Sequence, residues 1–446
     1  MAPEQALGDA AGAEATVNFR LQASAIALDQ VVVTGTAGAQ EKRSIGNSVT
    51  TISASEELAK SAAPNLGALL NARATGVTIL PRSGRLGAGP SVQIRGRASL
   101  SLENTPLLYI DGVRVNNSTV TGPVGVSGGL GGQGSQFGGR LNDLNPEDIE
   151  SIEIIKGPAA STIYGTEAAN GVIQVITKRG AANSAPQVAM GVEVGSLSFY
   201  DAANRINTNY AKNASGTVVG WNGLQQEIDS GRGFYKTGQT RRYNGSVSGG
   251  RDLFRYYVGG SYQNDLGIEP NNTLGQMSVR ANVSAAVRPS TDITASLGSV
   301  ILRNRLGMDY GASPLLGAQV GHALLFPATR GFFAVSPEIP QQLYDNTSNV
   351  NRFTGSFQVN NRPTSWFTHR AILGVDQSSE DARALERFAP PELAKVMSPA
   401  AAGGRIGQTI RNNTLFTAEY GASAKAKIGS ALASTSSIGG QFYRTE

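Results

Sequence analysis

The residues in this chain that could do covalent chemistry are few and poorly placed for it. Gly125-Val126-Ser127-Gly128-Gly129 has the spacing of a nucleophile elbow, in which a tight strand-to-helix turn exposes the serine hydroxyl. Here both flanks are glycine-rich loop, and the two histidines that could act as a base, His322 and His369, lie far downstream. The serine-hydrolase reading fails on context. Cysteine is absent, which excludes disulfides, thiolate metal sites and thiol nucleophiles. The sequence carries no dinucleotide fingerprint, phosphate loop or histidine–carboxylate cluster. The expectation is a protein that is not an enzyme, with no catalytic residue, metal or cofactor.

With catalysis set aside, composition bounds the architecture. The 446 residues are enough for two or three domains, and 55 glycines imply many turns and closely packed strands. A net charge of +5 arises from 38 basic and 33 acidic residues spread along the chain, without the basic stripe that nucleic acid requires. No apolar run reaches the length of a membrane helix, which leaves a membrane β-barrel open. The N-terminal MAPEQALGDAAGAEA lacks the regions of a signal peptide. Val17, Phe19 and Leu21 alternate within residues 15–27 like one edge of a β-sandwich without partner strands, so the natural start is expected further upstream.

Leu28 to Gly35, LDQVVVTG, is a short β-branched run. It suits either an internal strand or a strand added to another protein's sheet. From Ser44 to Arg179 the pattern is mixed α/β. Strands are expected at Val49–Ile52, Val77–Leu80, Ser91–Arg95, Ile149–Ile155 and Val172–Thr177. Ser53 and Glu56 form a capping box opening a helix through Lys60. Leu66, Leu69 and Leu70 mark a second short helix, and a third is expected over Pro158–Ala169 with its proline at an early position. Asp111-Gly112 joins two apolar runs as a tight hairpin. Arg95, Arg97, Glu150 and Glu153 are either wall-contacting ions or solvated strand residues.

From Gln187 onward helices are expected to give way to about nine strands of period two. Val188, Met190, Val192 and Val194 form one apolar face, and Met277, Val279, Val283 and Val287 another. Short connections at 251–252, 288–292, 360–365 and 423–425 alternate with long ones at 200–240, 264–274, 304–351 and 380–410. That parity is what an outer-membrane barrel requires, with tight periplasmic turns and long external loops. The apolar face then points at lipid. Trp221, in a long loop, is a candidate for stacking on a sugar ring.

Four stretches carry a specific resemblance. LDQVVVTG at Leu28–Gly35, VQIRG at Val92–Gly96, PLLYIDGVRV at Pro106–Val115 and IKGPAASTIYGTEAANGVIQVITKRG at 155–180 stand in the order and spacing of TonB-dependent outer-membrane transporters. The chain most resembles the SusC/RagA type. The resemblance implies a mixed α/β plug domain followed by an antiparallel transmembrane β-barrel, of 22 strands in an intact member. It implies residues 1–27 as the end of a regulatory-like β-sandwich, 28–36 as the TonB box, 37–185 as the plug and 186–446 as the first part of the barrel.

The implied TonB box is Leu28, Asp29, Gln30, Val31, Val32, Val33, Thr34 and Gly35. The implied plug motifs are Ile94, Arg95 and Gly96; Pro106, Ile110, Asp111 and Gly112; Lys156, Gly157 and Pro158; Tyr164 and Gly165; and Ala169, Asn170 and Gly171. The implied activity is active import of an oligosaccharide or peptide across the bacterial outer membrane. Its partners would be TonB with its energising complex, a SusD-like surface lipoprotein and outer-membrane lipid, with no nucleic acid. A siderophore or cofactor receptor and a passive structural or adhesive barrel are the alternatives. Size bears on completeness: a plug of ~150 residues is ~38 Å across, whereas nine closed strands enclose only ~18 Å. The chain is therefore expected to be a fragment of a larger barrel.

Overall fold

The computed structural model describes residues 31–32, 40–41 and 49–446, except 61–62, 64, 81–83, 98, 100–103, 118–139, 158–159, 162–163, 307–312, 334, 395–401 and 429–431. The β-sandwich remnant at 1–27, the Gly125–Gly129 motif, Pro158 and all of the TonB box except Val31 and Val32 fall outside the described residues. Val31–Val32 pairs antiparallel with Gln40–Glu41.

The first folded unit is built on a β-branched run. Strand β7 (Val172–Thr177) is buried on both faces, as a central strand must be. On one side it pairs antiparallel with β6 (Ile149–Ile155), on the other parallel with β4 (Leu107–Ile110). Strand β1 (Val49–Ser53) and strand β5 (Val113–Val115) complete the sheet in the order β1-β6-β7-β4-β5. Strands β2 (Val77–Leu80) and β3 (Ser91–Ile94) form a separate hairpin.

Helices α1 (Ala54–Lys60) and α2 (Leu66–Leu70) begin where the sequence indicates. Asn65 caps α2, its Oδ1 accepting from the Ala68 amide at 2.9 Å, and Leu66, Leu69 and Leu70 are fully buried against Ile152 and Ile154. Each such side chain contributes roughly 1.5–3 kcal/mol. The expected helix over 158–169 forms in part, with Ala160, Ser161 and Tyr164 helical, and stops short of Gly165. Gly165 adopts φ +81°, and a 3-10 turn, Thr166–Asn170, follows. Nor is β6 half solvated, since Glu153 is 2% exposed; only Glu150 of the two acids faces solvent.

The second unit is a nine-stranded antiparallel meander: β8 (Ser184–Leu197), β9 (Gly238–Arg251), β10 (Phe254–Leu266), β11 (Thr273–Arg288), β12 (Thr291–Leu306), β13 (Tyr344–Thr364), β14 (Phe367–Glu386), β15 (Arg405–Ile428) and β16 (Leu432–Thr445). Its polarity is inverted relative to a soluble protein. Met190 is 85% exposed whereas Asn282 is 1% exposed. Register aligns Val192, Tyr243, Tyr262, Met277 and Ile301 as one outward row across five strands. This apolar exterior with a polar interior is the signature of a lipid-facing barrel wall. The sheet stays open, with β8 and β16 at its edges.

Short and long connections alternate as expected, but strand ends differ. Ser423 to Lys425 lies within β15, which runs on to Ile428 before β16 begins at Leu432. Strands β13, β14 and β15 also run further into the expected loops, because their polar upper parts still satisfy backbone groups by pairing. Nor do helices vanish after Gln187. Short ones occupy the long loops at Ala202–Arg205, Gly223–Asp229, Pro314–Val320, Ile339–Leu343 and Pro391–Ala394.

Candidate functional site

Three of the sequence motifs converge in space around glycines. Ile94 ends β3, and Arg95 and Gly96 turn away with φ +59° and +88°. Gly171, at φ +89°, packs so closely on Ile94 that a Cβ would lie 2.8 Å from Ile94 Cδ1 and 2.9 Å from the Ile155 carbonyl. A Cβ on Gly157 would lie 2.5 Å from the Arg95 guanidinium. Lys156 is buried and donates to the Thr75 carbonyl at 2.6 Å. The Leu107 amide, just past buried Pro106, donates to the Gly171 carbonyl at 3.0 Å. Tyr164 packs on Tyr109, ring centroids 4.9 Å apart, and donates to Gln174 at 3.2 Å. These motifs fix the plug's internal geometry. Ala169 is exposed and Asn170 half-buried. Arg95 and Arg97 are exposed, which favours the solvated description over ionic contact with the wall.

Asp111-Gly112 does more than turn the chain. Both residues have positive φ, +48° and +83°, as a tight hairpin requires. The Asp111 carboxylate accepts from the Thr177 amide at 3.1 Å and from its hydroxyl at 2.6 Å, and Arg280 on β11 lies 3.7 Å away. Asn282 on the same wall strand donates to Thr177 Oγ1 at 2.8 Å and to the Lys178 carbonyl at 2.6 Å. The hairpin tip abuts β14 through glycines on both sides. A Cβ on Gly112 would lie 2.6 Å from Ile372 Cδ1, and one on Gly374 would overlap Val113.

A buried ionic clamp joins the plug to the wall at a second place. Arg352 on β13 grips Asp376 on β14 with two bonds of 2.8 and 3.0 Å, and reaches Asp143 at 3.2 Å and the Asn116 carbonyl at 3.0 Å. Asp376 also accepts from the Asn116 amide at 2.8 Å. Arg140 pairs with Glu380 at 2.9 Å, and Ser348 donates to the same carboxylate at 3.0 Å. Asn116 and the 3-10 turn Arg140–Asp143 flank the glycine-rich segment, so the clamp holds both its stems. Burial pushes the Asp143 carboxyl up, against the pull of the Arg140 and Arg352 guanidiniums.

The Tyr257 hydroxyl donates to Asp148 at 2.9 Å. Arg85 bonds both oxygens of Glu269 at 2.8 Å, and Asn272 accepts from the Leu86 amide at 2.7 Å. Arg140, Asp143, Arg352, Asp376 and Glu380 stand in no local motif of the sequence. A signal existed: Arg352, Asp376 and Glu380 fall in the inward phase of barrel strands, where a charge must find a partner. Between plug and wall lies a cavity of about 320 Å³ with a mixed lining that includes Arg242, Gln263, Asp265, Gln276 and Asn304 beside Leu144, Leu197 and Leu274.

Above the wall, two long loops share a small core through residues within 202–235 and 315–332. Trp221, Phe234 and Phe332 stack edge to face, with centroids 5.6 and 6.0 Å apart. Trp221 is 6% exposed and donates to Gln226 at 2.6 Å, so it is a packing residue and not a sugar platform. His322 is buried too, held by the Val219 carbonyl at 2.9 Å and the Leu324 amide at 3.1 Å. Fully buried Glu227 is bridged by Arg232 and Arg330, and Arg330 also grips Glu338. Among the described residues no cluster of metal-ligating side chains occurs.

Residues 41–172 match the TonB-dependent receptor plug domain. The chain is 28% identical over 80% of its length to the TonB-dependent receptor SusC of Bacteroides thetaiotaomicron, covering 32% of that protein. It is 30% identical over 47% of its length to the ferric enterobactin receptor PirA of Pseudomonas aeruginosa, covering 30% of it. In structure it is similar to the RagAB peptide importer in its open-open state, with a TM-score of 0.68 at 19% identity over 93% of this chain and 49% of that one. The chain thus spans about a third of these curated relatives.

Proposed function

We propose that this chain, a TonB-dependent receptor of the SusC/RagA type comprising a plug and the first strands of its outer-membrane barrel, belongs to an importer that takes an oligosaccharide or peptide across the outer membrane. The observation that carries the reading is the plug docked on the polar inner face of a lipid-facing wall, both stems of its glycine-rich segment clamped there. A plug so placed blocks passage until it is remodelled. Work for that remodelling would come from TonB pairing with the box at Leu28–Gly35 as an added strand and pulling. On this reading the sandwich remnant is 1–27, the box 28–36, the plug 37–185 and the barrel portion 186–446, with a SusD-like lipoprotein as external partner.

The test is Val32→Pro in the full-length protein, which removes a backbone donor from the added strand. Uptake of the cognate solute should be lost while surface abundance and ligand binding persist; undiminished uptake overturns the mechanism. The shorter match to a ferric enterobactin receptor favours a siderophore as the second reading. Tight equilibrium binding of a ferric chelate by the intact protein, with no binding of oligosaccharides or peptides, would decide for it.

A further inference from the structure

The periplasmic edge of the wall carries cations on the strand ends beside its short connections. Arg251, Arg288, Arg362, Lys425 and Lys427 are all exposed, Arg251 at 94%. Asp252, 3.7 Å from Arg251, offsets one of these charges. The turns form one continuous rim through backbone bonds. The Ala286 amide donates to the Leu253 carbonyl at 2.8 Å, Arg362 to Ser290 at 2.7 Å, and Lys425 to Trp366 at 2.7 Å. At the rim stand exposed Phe254, Val287 and Trp366, the lower border of the apolar band, with exposed Ile438 higher on β16 opposite Ala422. Aromatic side chains take up this position at the headgroup level of a bilayer.

We infer that this rim is a binding surface for anionic phospholipid headgroups of the periplasmic leaflet. The inference rests on the outer-membrane reading and goes beyond import. The fit is in charge and in height. A band of exposed apolar side chains places acyl chains against the wall, and guanidinium and ammonium groups stand on the strand ends at its lower border. Arginine forks match phosphate oxygens two at a time. A wall whose plug is pulled from the periplasm gains from such a tether on that side.

The experiment uses the full-length protein in nanodiscs and photoactivatable phosphatidylglycerol or phosphatidylcholine, with crosslinked peptides mapped by mass spectrometry. Phosphatidylglycerol should label the turns around 251–255, 288–291, 362–367 and 425–428 about tenfold more than phosphatidylcholine. Arg251→Gln, Arg288→Gln, Arg362→Gln, Lys425→Gln and Lys427→Gln together should bring the two lipids to parity at these turns. The three arginine-to-lysine changes should retain most of the preference, which separates charge from fold should the neutral variant fail to insert. Equal labelling in the unsubstituted protein overturns the inference. So does a preference that survives neutralisation, or displacement of the lipid by soluble anionic peptidoglycan fragments. Solute uptake measured in parallel reports on the import reading separately.

Discussion

Arg352 shows how one side chain can hold two bodies together. It is 3% exposed and neutralises Asp376 and Asp143 while capping the Asn116 carbonyl. Removing one partner of a buried pair leaves uncompensated charge and costs about 3–5 kcal/mol, whereas removing both can be nearly neutral. Arg352→Ala should therefore speed amide exchange at Asn116 and around 140–144 in the full-length protein. Asp143→Asn added to Arg352→Ala should slow it again in part. Gly374 makes a steric prediction of the same kind. Gly374→Ala drives a methyl into Val113 and should lower plug stability by about 1–3 kcal/mol. Val113→Ala in that background should recover part of the loss in a thermal double-mutant cycle, because the two sites touch.

Among elements, the two long loops behave as one. Asn209 on the Asn209–Lys212 strand donates to the Ala318 and Gly321 carbonyls at 3.2 and 2.6 Å, and the Trp221–Phe332 contact joins the same two loops. Charge reinforces this union. The bond from Arg330 holds the Glu338 carboxyl below its ordinary value of 4.5. A depressed acid contributes stability that is present above the unfolded value and disappears as pH falls through the folded one. Hydrogen exchange in 221–234 and 326–338 should accordingly accelerate below about pH 4.5, after correction for intrinsic rates. Glu338→Gln should flatten that dependence; an unchanged profile would show that the aromatic core alone unites the loops.

For the molecule as a whole, the open wall is the decisive feature. Strands β8 and β16 end the sheet without pairing to each other, and an open edge in lipid leaves backbone donors and acceptors unsatisfied at a cost of several kcal/mol per group. Expressed as residues 1–446, the chain should fail to give the heat-modifiable, detergent-resistant band of an inserted barrel, and the full-length protein should give it. A folded, lipid-inserted monomer of the 446-residue chain would refute this.

Whatever depends on local rules is legible in the chain. Period-two alternation set the strands and their faces, since side chains point to opposite sides of a strand. Asp111-Gly112 set its hairpin, since few residues accept positive φ, and the parity of connection lengths set which rim carries loops. The helix within 158–169 stops at Gly165, whose positive φ ends a segment whose composition suits a helix throughout. The rest follows from contacts made in three dimensions. That Glu153 and Trp221 are buried, that Gly171 carries Ile94, and that Arg352 joins the two stems of the glycine-rich segment all depend on residues far apart in the chain meeting in space. No local pattern records such a meeting, because the energy of a buried charge or a missing Cβ is fixed by whatever the fold sets against it.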